Sequence, residues 1–305
     1  EEYDRACDLW NTITMDDMME DGINLTATIE GMFDQKAAIR PFLKKYIKNK
    51  GADISPFAKY IEQLIDEEIV RKSKINFGLV TVQFPSLKAY ELQKKDIPEG
   101  LLKDYILASA AIFPLFPMHK IGKETYLDGC YHDNLPIDLA LRMGATDVIA
   151  IDLHTTASHM DYATRPYVTY IKPSRSLGTM MNFDHALLME NIEMGYQDAM
   201  KTFGKLLGFS YTFYKEGMSK CRNQINKFTA AIARTDLVIT DDAPGRKLSK
   251  KEDFNHLYAI LACKAEGEKL SKEACFISGG EVCAEIFRLE IRKIYQISEF
   301  KVELL

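Results

Sequence analysis

The sequence lacks several features that would place it in common functional classes. It has no apolar run long enough to span a membrane, and its first residues do not resemble a signal peptide. It has no long basic block, and its 39 basic and 44 acidic residues give a net charge of −5, which argues against a nucleic-acid partner. Its six cysteines form no C-x-x-C pair, so we expect free thiols and a cytoplasmic, reducing compartment. We expect no metal and no cofactor, since no H-E-x-x-H motif occurs either.

Two kinds of glycine-rich loop are also missing. The chain has no G-x-G-x-x-G or Walker loop, which disfavours a nucleotide-binding α/β domain. It has no G-x-S-x-G elbow, the strained turn that exposes a nucleophilic serine. Ser210 and Ser219 lack the second glycine of that pattern, and Ser278 lacks the first.

The most informative stretch is Tyr126–Leu153. Asp128-Gly129 is a turn signal after a short extended segment, because glycine adopts positive φ without steric cost. Asn134 precedes Pro136 as a predicted helix cap, and Gly144 stands where a helix ends. The apolar run of residues 148–151 predicts a buried strand. The stretch thus predicts strand, turn, helix and strand in a parallel α/β architecture.

The rest of the chain divides by its periodicity. Residues 75–84 predict a strand, residues 87–92 its hairpin partner, and residues 101–111 a helix. From Asp184 onward the pattern is mainly helical. We predict an α/β domain over residues 1–175 and a helical region over 176–305. Within these regions we also predict helices that start at Pro41 and Ser55, a capping box at Ser249 and Glu252, and helices over residues 215–234, 250–265 and 281–296.

Two stretches together resemble the patatin-like phospholipases. In that family the catalytic aspartate lies in an Asp-Gly-Gly or Asp-Gly-Ala turn, which here reads Asp128-Gly129-Cys130. Residues 107–117, a small-residue helix leading into a proline-bounded loop, resemble the segment that precedes this turn. Residues 172–175 and the helix after Phe183 are similar to bacterial members, so the resemblance covers roughly residues 1–205.

The resemblance implies a lipid acyl hydrolase that uses a Ser–Asp dyad without histidine. Asp128 would be the catalytic base, at the strand end where sites of α/β sheets lie. The family's glycine-rich oxyanion loop and its G-x-S-x-G elbow are absent here. We therefore expect this chain to be the C-terminal portion of a longer protein, the remainder of a parallel-sheet α/β/α core that lacks its first strands and carries no nucleophile.

Several alternatives remain open. Cys130, followed by His132 and Asp133, suggests a thiol nucleophile, although no base is placed to activate it. We expect Asp152 to hydrogen-bond a loop. The segment 172–175 is a candidate for an anionic head group, and residues 203–209 for contact with a bilayer. The expected partners are a lipid or acyl-ester substrate and the periphery of a membrane. The rival interpretation is an inactive fragment that serves as an interaction or scaffold domain.

Overall fold

The computed structural model describes residues 2–20, 51–155, 158–179, 182–241, 256–265 and 271–303. Two compact units emerge from its internal contacts. The first comprises Glu1–Lys172 with Ser176–Asn191, and the second Pro173–Arg175 with Ile192–Leu305. The domain boundary near residue 175 stays a prediction. The helix predicted from Pro41 and the capping box at Ser249 lie outside the described residues.

The first unit mixes helices and strands, which confirms the α/β class. Its helices are α1 (Glu2–Thr12), α2 (Met15–Met18), α3 (Ser55–Leu64), α4 (Glu67–Lys72), α5 (Leu102–Ser109), α6 (Ile137–Arg142) and α7 (Met160–Ala163). Its strands are β1 (Gly78–Phe84), β2 (Lys88–Gln93), β3 (His119–Ile121), β4 (Glu124–Asp128), β5 (Val148–Ile151) and β6 (Val168–Ile171).

Four of these strands form an antiparallel sheet in the order β2-β1-β4-β3. The predicted hairpin of β1 and β2 is confirmed. The end of β4 lies beside β1, where Thr81 is directly opposite Asp128. Thr81 is fully buried, and its hydroxyl donates a hydrogen bond of 2.7 Å to the Leu127 carbonyl. This bond fastens the strand end that carries Asp128.

The parallel pairing lies elsewhere than the sequence pattern indicates. Strand β5 pairs in parallel with β6, and the two form a separate two-stranded sheet. The expected parallel unit that joins β4 to the following strand is therefore wrong, because β4 pairs antiparallel with β1. Ala150 of β5 is buried, whereas Ile149 and Ile151 are 61% and 63% exposed. One face of this strand is thus apolar and largely exposed, so the prediction of a buried strand is wrong for this face.

The helix between β4 and β5 begins later than predicted. Helix α6 starts at Ile137 with Pro136 at its N-cap, so Asn134 is not the cap. Asp133 instead accepts a hydrogen bond from the Leu135 amide at 2.9 Å, a local turn that precedes the helix. Gly144, at φ +96°, follows the helix as predicted for a C-terminal glycine.

The second unit is helical but contains a small mixed sheet. The predicted helix over 281–296 ends at Phe287, where Arg288 adopts φ +56°, and a strand follows. Residues 206 and 207 form a strand with Leu206 buried, whereas Phe203 is exposed, and the bilayer contact predicted for 203–209 stays a prediction. The elements are α8 (His185–Thr202), which enters from the first unit, β7 (Leu206–Leu207), β8 (Thr212–Tyr214), α9 (Arg222–Asp241), α10 (His256–Lys264), α11 (Lys272–Phe287), β9 (Ile294–Tyr295) and α12 (Ile297–Glu303).

The core of the second unit is aromatic with one buried acid. Phe213, Tyr295 and Phe300 pack edge to face or tilted, with ring centres 4.8–6.3 Å apart. Glu281 is fully buried and accepts hydrogen bonds from the amides of Phe209 and Ser210 at 2.7 and 3.0 Å. Burial raises the pKa of this carboxyl group. Across the described residues, no helix has the length and apolarity that a membrane span requires.

Candidate functional site around Asp128

Asp128 is held at the junction of β4 and a single 3₁₀ turn. Its amide donates to the Ala111 carbonyl at 3.0 Å, which ties it to the segment after α5. Its Oδ1 atom accepts a hydrogen bond from the Cys130 amide at 2.7 Å. Apart from Cys130, no described residue donates to this half-buried carboxylate. The carboxylate is therefore oriented from one side and retains capacity for a further donor.

Gly129 allows the turn to approach β1. A Cβ atom at this position would lie 2.4 Å from the Val80 carbonyl oxygen and 2.9 Å from the Val80 Cβ. Gly129 does not adopt a positive φ, so the conformational reason predicted from the sequence is wrong. The glycine is needed for close backbone contact, and any side chain would push Asp128 away from β1.

A groove of about 400 Å³ opens beside this turn. Asp128, Gly129 and Cys130 form part of its wall, and Asp133 and Ser109 line it as well. Ser109 is the last residue of α5 and was not expected at the site. The signal for it was present, since the small-residue segment 107–111 is part of the family resemblance, but nothing local marked its side chain.

Cys130 is not activated as a nucleophile. Burial and the neighbouring negative charge of Asp128 together raise the pKa of its thiol to about 11. The reactive form of cysteine is the thiolate, which is therefore scarce at neutral pH. His132 does not form a triad with it, because its Nε2 atom faces Glu91 Oε1 at 3.9 Å. Asp133 pairs instead with His159 at 3.3 Å.

Asp152 hydrogen-bonds a loop, as predicted. This buried carboxylate accepts from the amides of His154 and Ser158 at 3.0 and 2.7 Å and from the Tyr170 hydroxyl at 2.5 Å. Although burial opposes ionisation, these hydrogen bonds lower the pKa of Asp152 well below its usual range. The acceptor capacity of Asp152 is thus used by its own loop and by Tyr170 of β6.

The same loop contains a serine, a histidine and an aspartate that do not form a catalytic triad. The Ser158 hydroxyl lies 3.0 Å from His154 Nδ1, and Asp152 Oδ1 lies 2.8 Å from that same nitrogen. A triad needs the serine and the acid on opposite ring nitrogens, so that one accepts a proton while the other is held. Here Ser158 and Asp152 both face the same ring nitrogen, Nδ1 of His154.

Of the serines that failed the elbow pattern, Ser219 is the exposed one. Ser278 is fully buried inside α11, and its hydroxyl has no partner among the described residues. Ser210 donates its amide to Glu281. Ser219 lies in a 3₁₀ turn. In the candidate head-group segment, the Ser174 amide donates to the buried Asp198 at 2.8 Å, so this segment is anchored internally.

Comparison with known families gives a match to part of the chain. A sequence model described as patatin-like phospholipase matches residues 2–141, which include both the Asp128 turn and the small-residue segment before it. This part of the chain is patatin-like. No curated protein sequence matches the chain. The resemblance over residues 142–205 stays a prediction.

The patatin-like match also indicates the class of chemistry. Residues 2–141 are similar to a family of phospholipases, which suggests the hydrolysis of lipid acyl esters. The substrate class indicated for this patatin-like segment is therefore a lipid. The groove beside Asp128 lies within the matched segment and brings a carboxylate to an open cavity.

Substitution of Gly129 tests the close contact in the patatin-like turn. We expect Gly129→Ala to lower the free energy of unfolding by about 1–3 kcal/mol, because the new methyl group overlaps the Val80 carbonyl. The measurement is urea denaturation followed by circular dichroism. Gly195→Ala is the control, since a Cβ at that helical glycine meets no atom within 4 Å and should leave stability equal or higher. Equal stability of Gly129→Ala and the parent would contradict the contact.

The pKa of Cys130 gives a second test. Asp128→Asn removes the negative charge next to Cys130. This should lower the pKa of the Cys130 thiol and speed its alkylation by iodoacetamide near neutral pH. Peptide mass spectrometry measures the rate, and the exposed Cys263 serves as an internal reference. An unchanged ratio of the two rates would show that the carboxylate does not act on the thiol.

Asp152 predicts a dependence of stability on acid. Its folded-state pKa is depressed, so its stabilising effect is present above the unfolded pKa of about 3.9 and is lost as pH falls below that value. Asp152→Asn should therefore be clearly less stable than the parent near pH 6, and the gap in unfolding free energy should narrow towards pH 2. Denaturant titrations at several pH values measure the gap, and a constant gap would refute the assignment.

Proposed function

We propose that the groove beside Asp128 is half of the active site of a lipid acyl hydrolase. Asp128 serves as the base of a Ser–Asp dyad, and the serine comes from polypeptide outside these 305 residues. The observation that carries the proposal is the state of the Asp128 carboxylate. It is oriented by the Cys130 amide, lines an open groove, and apart from Cys130 has no donor among the described residues.

The chemistry follows from that arrangement. A serine hydroxyl is a weak nucleophile until a base within hydrogen-bond reach accepts its proton. In this proposal, Asp128 accepts the proton as the serine attacks the ester carbonyl, and returns it to the leaving alcohol. Water then hydrolyses the acyl-enzyme with Asp128 again as the base. The donors that stabilise the oxyanion also come from outside this chain.

The protonation state of Cys130 explains why the carboxylate, rather than the adjacent thiol, takes this role. The raised pKa of Cys130 keeps the thiol protonated, so it neither competes for the acyl group nor adds a second negative charge. We propose no metal and no cofactor for the reaction. The proposed location is cytoplasmic and peripheral to a membrane, where an acyl-ester substrate is presented.

The rival interpretation is that the chain is a catalytically inactive interaction or scaffold domain. The observation in its favour is the absence of a G-x-S-x-G elbow from the sequence. Both interpretations predict that the chain alone does not react with a fluorophosphonate probe. Labelling of the chain would overturn both, because it would show a nucleophile within these residues.

The deciding experiment uses a protein that contains this chain together with a G-x-S-x-G segment. Asp128→Asn should reduce p-nitrophenyl ester hydrolysis about a thousandfold, the size of effect given by loss of a general base. Asp138→Asn is the matched control, since Asp138 is an exposed aspartate on α6 that accepts from the Tyr162 hydroxyl and lies outside the groove. Unfolding midpoints must agree between the variants. Activity of Asp128→Asn close to that of the control would refute the assignment of Asp128 as the base.

A further inference from the structure

A second groove, of about 460 Å³, meets the groove beside Asp128. Gly78 and Pro136 line both grooves, so they join where the first residue of β1 faces the start of α6. The reaction proposed for Asp128 makes no use of this second groove. The other described residues in its wall are Asn76, Leu139, Ala140, Met143, Gly144 and Ala145.

One face of α6 forms a side of the second groove. Pro136, Leu139, Ala140 and Met143 recur at intervals of three or four residues, so their side chains lie on the same face of the helix. The helix has six residues and is therefore about 9 Å long. These side chains are all apolar. The groove thus presents an apolar strip that leads away from the residues it shares with the Asp128 groove.

Gly78 has a packing reason at the junction of the two grooves. A Cβ atom at this position would lie 2.8 Å from the Met143 sulfur and 3.2 Å from the Leu139 Cδ2 atom. A glycine in a strand often marks a place where another group approaches closely. Here the Met143 side chain occupies that place, and methionine is unbranched and flexible, so this part of the wall adapts readily to an alkyl chain.

The two grooves differ in charge. The groove beside Asp128 has the carboxylates of Asp128 and Asp133 in its wall. Of the described residues that line the second groove, none is charged, and Asn76 supplies the one polar side chain. A ligand that occupies both grooves therefore has a polar reacting end and an uncharged apolar tail.

We propose that the second groove binds the acyl chain of the ester substrate while the ester group lies beside Asp128. This inference rests on the proposed function, which supplies the identity of the ligand. The chain lies against Leu139, Ala140 and Met143, and removal of its methylene groups from water drives the binding. The groove thereby makes the length of the acyl chain a determinant of specificity.

Met143 reports on occupancy of the groove, because oxidation by hydrogen peroxide requires access to its sulfur. Methyl octanoate, an uncharged ester, should slow oxidation of Met143 in this chain, with no change at the exposed Met160. Methyl butyrate should need a concentration more than about tenfold higher, since each methylene it lacks is worth up to about fourfold in affinity. Peptide mass spectrometry measures both methionines in one sample. No protection by methyl octanoate, or equal protection by the two esters, would overturn the proposal.

Variants of Ala140 test the location of the chain. Ala140→Phe places a ring in the groove and should raise the methyl octanoate concentration for half-protection of Met143 about tenfold, with a smaller rise for Ala140→Leu. Thr146→Phe is the control, since it adds the same ring at an exposed residue outside both grooves. Unfolding midpoints show which variants are folded. Half-protection that is unchanged in a folded Ala140 variant would contradict the assignment.

Failure of this inference is distinguishable from failure of the proposed function. Protection of Met143 needs no serine, so it is measured in this chain whether or not Asp128 acts as a base. In a protein that also contains a G-x-S-x-G segment, Ala140→Phe should lower the ratio of p-nitrophenyl octanoate to p-nitrophenyl acetate hydrolysis about tenfold. Thr146→Phe should leave this ratio unchanged, and Asp128→Asn should slow both esters alike. A ratio that Ala140→Phe does not change would overturn the acyl-chain groove and leave the role of Asp128 intact.

Discussion

The contact between Gly129 and the backbone of Val80 is the constraint on which the candidate site depends. The turn after β4 lies so close to β1 that residue 129 has no room for a side chain. On the same edge, the buried Thr81 hydroxyl holds the Leu127 carbonyl. These two contacts fix the strand end, and the Cys130 amide then fixes the carboxylate of Asp128. The position of the proposed base is therefore a consequence of backbone packing within the antiparallel sheet.

Asp128 and Asp152 show how surroundings divide the roles of two similar side chains. Asp128 is the last residue of a short strand in the first unit, and Asp152 directly follows another. Asp152 is buried and receives donors from two amides, a histidine and a tyrosine, so its charge is fully used in holding a loop. Asp128 is half-buried, faces a groove and receives a backbone donor from one side. Only a carboxylate with spare acceptor capacity can take a proton from a substrate or a nucleophile.

Local features of the fold could be predicted from the sequence, but the pairing of strands that lie far apart in the chain could not. The hairpin of β1 and β2, the helix stop at Gly144 and the hydrogen-bonding role of Asp152 were predictable, because each depends on neighbouring residues. The antiparallel partner of β4 was not, since strand order depends on contacts far apart in the chain. The glycine of the Asp-Gly turn was recognised for a local reason, but its actual reason is Val80, nearly fifty residues away in sequence. Long-range packing had overridden the local interpretation.

The cysteine in the turn clarifies how far the family pattern tolerates change. A glycine or alanine at that position would place no ionisable side chain beside the carboxylate, whereas Cys130 adds one. Two negative charges at this distance would oppose each other, and the thiol responds because burial already disfavours its charged form. The thiol therefore stays neutral, and the negative charge of the pair resides on Asp128. A compact side chain that remains uncharged is compatible with the turn, so the departure from the family motif adds no second charge beside the proposed base.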